Sequence, residues 1–152
     1  MSPERLPEPV RMVDVGDKPP TKRVALAMGR IELPPEVLRD VLAGRIPKGD
    51  VLAVAQVAGI MAVKKAAELI PMCHPISITA VDMDFKIDRE NAAITTVVSA
   101  KTRDRTGIEM EVLTGAAVAA LTIYDMCKGV DGGMCIGDVS LLEKTKSDAE
   151  QG

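Results

Sequence analysis

Aromatic side chains are nearly absent. Phe85 and Tyr124 are the only two in 152 residues, and there is no tryptophan. A single-stranded nucleic-acid platform stacks bases on aromatic rings, so this chain lacks the means to build one. The core must come from Ala, Val, Leu, Ile and the nine methionines. Histidine occurs once, at His74. The three cysteines, Cys73, Cys127 and Cys135, are odd in number and form no CxxC pair. That pattern predicts reduced thiols in a cytoplasm rather than a disulfide framework. Cys73 and His74 are adjacent, which is not a usual zinc spacing, so neither a structural metal nor another cofactor is expected. No apolar run reaches the roughly 18 residues of a membrane span, and no secretory pattern opens the chain. There is no P-loop, GxGxxG or GxSxG, and Gly132-Gly133 reads as a turn. A net charge of −3 argues against broad polyphosphate binding. Small anionic ligands remain possible where positive charge is local.

With 47% hydrophobic and 27% charged residues, the remainder reads as one globular domain with a real core. Residues 1–21 carry five prolines and read as an extended arm. A strand is predicted over 22–33, with Val24, Leu26 and Met28 alternating on one side. Residues 34–44 form a short helix that starts on proline and stops at Gly44. Asp50 then caps a longer helix over 51–69. Strands over 76–87 and 92–102 pair as a hairpin through "DREN". A helix over 109–129, a strand over 134–144 and a loose polar tail over 145–152 complete the chain. The single folded domain is therefore 22–144. If the two early helices count as one crossover layer, the order predicts an α+β, ferredoxin-like split βαβ fold: an antiparallel sheet with helices packed on one face. The middle of the last helix, "GAAVAALTIY", has almost no polar face. Such a helix must be covered all round, and a sheet covers one side only, so a homo-oligomer is predicted.

Four polar clusters stand out: Lys48 in "PKGD"; Cys73 and His74 between two prolines; Glu109 and Glu111 beside Arg103, Arg105 and Thr106; and Asp125 with Lys128. Asp125 and Lys128 are three apart and share a helix face. In isolation they fit either a surface ion pair at a helix end or a lysine tuned for proton transfer by its acid neighbour. Glu109 and Glu111 fit either acids favoured at a helix start or ligand contacts. On one helix, Glu111 and Lys128 lie about 25 Å apart at ~1.5 Å per residue. Either they serve different sites or a second subunit supplies one of them.

Together, "MVDVG", "KGDVLAVAQVAGI", "LIPMCHPISIT", "TGIEMEVLTGAAVAALTIYDMCK" and "IGDVSLLEK" resemble the cyclic pyranopterin monophosphate synthase family of molybdenum cofactor biosynthesis. The resemblance runs from about Met12 to about Lys144. It implies a ferredoxin-like fold and a cytoplasmic homohexamer, built as a trimer of dimers with active sites at the dimer interface. It also implies conversion of 3′,8-cyclo-7,8-dihydroguanosine triphosphate to cyclic pyranopterin monophosphate and pyrophosphate. By motif, Met72, Cys73, His74, Met110 and Glu111 would contact substrate, and Asp125 matches the active-site aspartate. Lys48, Glu109 and Lys128 match other functional positions. Two departures stand out. Arg105 replaces the lysine usual before Thr-Gly, and arginine does not readily act as an acid at neutral pH. "EKTKSD" replaces a glycine-rich loop, which leaves Lys144 and Lys146 both open as the loop lysine. The reading from another class is a non-catalytic oligomeric module that binds a nucleotide for regulation.

Overall fold

The computed structural model describes residue 4 and residues 7–147. Alternation in the first strand sets its architecture. Along β1 (Thr21–Glu32), Ala25, Ala27, Gly29 and Ile31 are buried. The larger Val24, Leu26 and Met28 point to the other face and are only partly covered. Small side chains thus face the core, and the apolar stripe that marks the strand in the sequence faces outward. β1 pairs antiparallel with β3 (Ala93–Asp104) on one side and with β4 (Cys135–Ser147) on the other. β2 (Ile78–Asp88) closes on β3 as the expected hairpin. Asp88 organises its turn by accepting from the Asn91 backbone N–H at 3.0 Å. The sheet order is β2-β3-β1-β4, the ferredoxin-like arrangement.

Among the described residues, four helices accompany the sheet. Pro34 and Pro35 start α1 (Pro35–Leu42), which buries Val37, Leu38 and Val41. Gly44, at φ +70°, takes the left-handed position just beyond it, where glycine carries no Cβ penalty. Asp50 caps α2 (Val51–Lys64) by accepting from the Ala53 N–H at 3.1 Å. The sequence predicts one helix through residue 69. Instead the backbone turns at Lys65, at φ −109° and ψ 8°, and a separate short α3 (Ala66–Leu69) follows, with Ala66 buried. α4 (Glu109–Cys127) packs on β1, β3 and β4 and also along α2.

That second contact changes the reading of the apolar helix. A Cβ on Gly29 would meet the Ala116 carbonyl oxygen at 2.9 Å, so β1 touches the backbone of α4. A Cβ on Gly115 would meet Val63 at 2.6 Å and the Gly59 carbonyl oxygen at 3.1 Å, so α2 and α4 touch in the same way. The small residues of α4 therefore serve close packing within the chain first. α4 is long and apolar enough to cross a membrane by composition, but here Val112, Ala116, Ala119, Ala120 and Ile123 are buried against the sheet and α2. Only an outward strip, with Met110 and Leu121, is left exposed.

β4 corrects the predicted tail. Thr145, Lys146 and Ser147 are strand residues paired with Val24, Arg23 and Lys22. Backbone pairing draws them in despite their polarity, because one side of each is solvent and needs no apolar partner. The remaining tail residues 148–152, and residues 1–3, 5 and 6 of the arm, lie outside the described residues. Gly29→Ala is expected to destabilise the fold by about 1–3 kcal/mol, since the added methyl meets backbone that cannot swing aside. An unchanged denaturant midpoint would contradict the close β1–α4 contact.

Candidate active site

Two clusters form at opposite ends of α4. At its C-terminal end Asp125 receives two lysines. Lys128, one turn on, reaches Asp125 Oδ1 at 3.1 Å. Lys48, from the loop that leads into α2, reaches Oδ2 at 3.3 Å and donates to the Asp125 carbonyl oxygen at 2.9 Å. The antiparallel run of α2 beside α4 brings these residues together, although 77 positions separate Lys48 from Asp125. All three side chains are about half exposed. Lys128 first, and Lys48 second, hold the Asp125 carboxyl below its ordinary range. Two ammonium groups share one carboxylate, so the cluster keeps a surplus positive charge facing solvent.

The second cluster surrounds the N-terminal end of α4. Glu111 is 3% exposed, and its Oε1 accepts from the Cys73 thiol at 3.6 Å. Burial pushes the Glu111 carboxyl up. Burial, followed by the charge of Glu111, pushes the Cys73 thiol up to about 11. Glu109 folds back over Gly107, where a Cβ would meet its carboxylate at 2.2 Å. Lys144 of β4 reaches Glu109 at 3.9 Å. Beside them lies a cavity of about 210 Å³ lined by Arg23, Gly107, Glu109, Lys144 and Lys146. Met72 and Met110 are exposed at this end. Lys144 and Lys146 thus reach one cavity from a strand, where the family resemblance implies a loop.

The N-terminal arm is tied to the same end. His74 is partly buried, and its Nε2–H donates to the Val13 carbonyl oxygen, which fixes the protonated nitrogen. Arg105 donates from Nε to the Lys18 carbonyl oxygen at 3.1 Å. In place of the usual lysine, then, arginine holds a backbone carbonyl of the arm. Arg23, which sequence reasoning missed, donates to the Arg105 carbonyl oxygen at 3.5 Å and lines the cavity. A signal for it was available: Arg23 is the one charged residue on the strand face that continues as Ala25, Ala27 and Gly29.

The structure therefore joins Lys48, Asp125 and Lys128, and separately Cys73, Glu109 and Glu111. It does not join the two groups within one chain, since one unbroken helix of 19 residues holds them apart.

The two carboxyls are expected to titrate in opposite directions. The fold favours ionised Asp125, so stability linked to it is present above the ordinary range and is lost only as pH falls through a depressed value. The fold favours protonated Glu111, so stability linked to it fades as pH rises through a raised value. Carboxyl-carbon NMR is expected to place Asp125 below 3.8 and Glu111 above 4.5, with Asp125 moving up in Lys128→Ala. Ordinary midpoints for both would contradict the geometry.

Residues 12–147 match the model of the MoaC family. A cyclic pyranopterin monophosphate synthase of Thermomicrobium roseum is 55% identical over 134 residues, covering 88% of this chain and 81% of that protein. Proteins of the same name from Thermoanaerobacter sp. and Brevibacillus brevis are 56% and 57% identical, each over 89% of this chain and 85% and 84% of their own lengths. With the match running from the arm to the last strand, the chain belongs to the MoaC family.

Proposed function

We propose that the chain catalyses the reaction for which its relatives are named. It would convert 3′,8-cyclo-7,8-dihydroguanosine triphosphate to cyclic pyranopterin monophosphate and pyrophosphate. The observation that carries this reading is the convergence of Lys48 and Lys128 on Asp125. Rebuilding a purine into a pterin takes ring opening, water addition and re-closure, each of which needs protons moved to or from the reacting atoms. Closing a cyclic phosphate takes attack by a hydroxyl on phosphorus while pyrophosphate leaves, with cations to offset the growing charge. Lys128 is the general acid and base, oriented by Asp125. Lys48, Arg23, Lys144 and Lys146 hold the phosphates. Glu109 and Glu111 accept from the N–H donors of the guanine-derived ring, against which Met72, His74 and Met110 pack.

These roles need both clusters at one substrate, and a second copy supplies the missing half. α2 exposes Val54, Val57 and Met61, and α4 exposes Leu121. Ala53, Val54, Val57, Ala58 and Met61 line a wholly apolar groove along α2. A two-fold axis perpendicular to α4 across that face would set the Lys128 end of one copy against the Glu111 end of its mate. This supports a homo-oligomer with sites between subunits, and we extend it to a trimer of such dimers. The three free cysteines suit a cytoplasmic location.

Purified protein given the cyclised nucleotide is expected to release pyrophosphate and a pterin. Binding without release would favour the regulatory module instead. Lys128→Ala and Asp125→Ala are each expected to lower turnover by roughly 10²–10⁴-fold, with the sedimentation coefficient unchanged. Near-normal turnover in either variant would remove that residue from the chemistry.

A further inference from the structure

Glu111 carries two anomalies at once. It is 3% exposed, and its Oε2 has no hydrogen-bond partner among the described residues. A buried carboxylate oxygen is costly to leave unpaired. Oε1, in contrast, is held by the Cys73 thiol at 3.6 Å, from a loop 38 positions earlier in the chain. A carboxylate with one oxygen tied and the other orphaned cannot rotate without giving up the bond it has.

We propose that Cys73 is a positioning residue: its thiol donates to Glu111 Oε1 and thereby aims Oε2 at an N–H donor of the bound ring. The identity of that donor rests on the proposed reaction; the thiol–carboxyl contact does not. The groups that face the thiol agree with a donor role. Burial first, then the negative charge of Glu111 and Glu109 from α4, push it up to about 11. Lys144 of β4 is engaged with Glu109 at 3.9 Å. His74, on the same loop, is turned to the Val13 carbonyl. A sulfur held protonated in this way is a hydrogen-bond donor at neutral pH and a poor nucleophile. The contact also accounts for a cysteine that no proton transfer in the proposed reaction requires.

The test reads the thiol first, without activity. The intact protein is alkylated with iodoacetamide across a pH series. The Cys73 peptide is followed by mass spectrometry, with the exposed Cys135 as reference. Labelling of Cys73 is expected to rise only toward about pH 11. In Glu111→Gln, which removes a negative charge at constant volume, its profile is expected to move to lower pH. A profile that is unchanged in Glu111→Gln overturns the contact.

Kinetics then test the positioning. Cys73→Ser keeps a donor and is expected to stay within about threefold of wild-type kcat/KM, while Cys73→Ala is expected to lose about tenfold, carried by KM with kcat retained. Equal loss in both variants, or a loss carried by kcat alone, overturns the positioning role. If wild-type protein does not turn over the cyclised nucleotide, the functional reading fails, and the alkylation profile still decides the contact.

Discussion

The near-contact of three backbones is what the rest of this structure depends on. Gly29 lets β1 touch α4 at Ala116, and Gly115 lets α4 touch α2 at Gly59 and Val63. Dispersion falls off steeply with separation, so helices and strands that meet without side chains between them pack more tightly than larger residues allow. α4 is thereby held between the sheet and α2. Its direction is set along its whole length, and both of its ends are placed. Lys48 reaches Asp125 because α2 runs back along α4. Cys73 reaches Glu111 because the chain leaving α2 and α3 returns to the other end. A core with two aromatic residues is consistent with this design, since ring volume would push these layers apart.

The two ends of α4 use burial in opposite ways. Asp125 stands in solvent, and its lysines keep it ionised below the ordinary range. Glu111 is enclosed, and enclosure raises its proton affinity. The two carboxyls therefore take different tasks: Asp125 orients lysines, and Glu111 offers acceptor oxygens. The exposed end carries surplus positive charge, which fits phosphate. The enclosed end presents acceptors that fit ring N–H groups, beside Arg23, Lys144 and Lys146, which fit phosphate.

Much of this was legible in the sequence, because local rules and tertiary structure agreed. The caps at Pro34-Pro35 and Asp50, the stop at Gly44 and the hairpin turn at 88–91 all fell where their chemistry asks. The spacing of Asp125 and Lys128 correctly implied a shared face. Other features were not legible, for definite reasons. The stripe Val24, Leu26 and Met28 located β1 but pointed away from the helices, because the core side was reserved for small residues. The apolar girth of α4 suggests a partner chain on its own, but α2 covers part of it. The turn at Lys65 has no glycine or proline to announce it. Residues 145–147 look like a tail by composition and are held in the sheet by backbone pairing, which composition does not encode. Arg23 was legible only as the one charged residue on its strand face, and its pairing with Lys146 across β1 and β4 sets it in the cavity.

One unbroken helix holds the clusters about 25 Å apart at ~1.5 Å per residue. Sharing of each site between two copies is therefore the central claim. Coexpression of two inactive chains, Lys128→Ala and Glu111→Ala, addresses it directly. If each site takes its lysine cluster from one copy and its glutamate cluster from the other, random pairing restores one intact site in each mixed dimer, or about a quarter of wild-type activity. Mixed oligomers that form but stay as inactive as either variant alone would contradict the account.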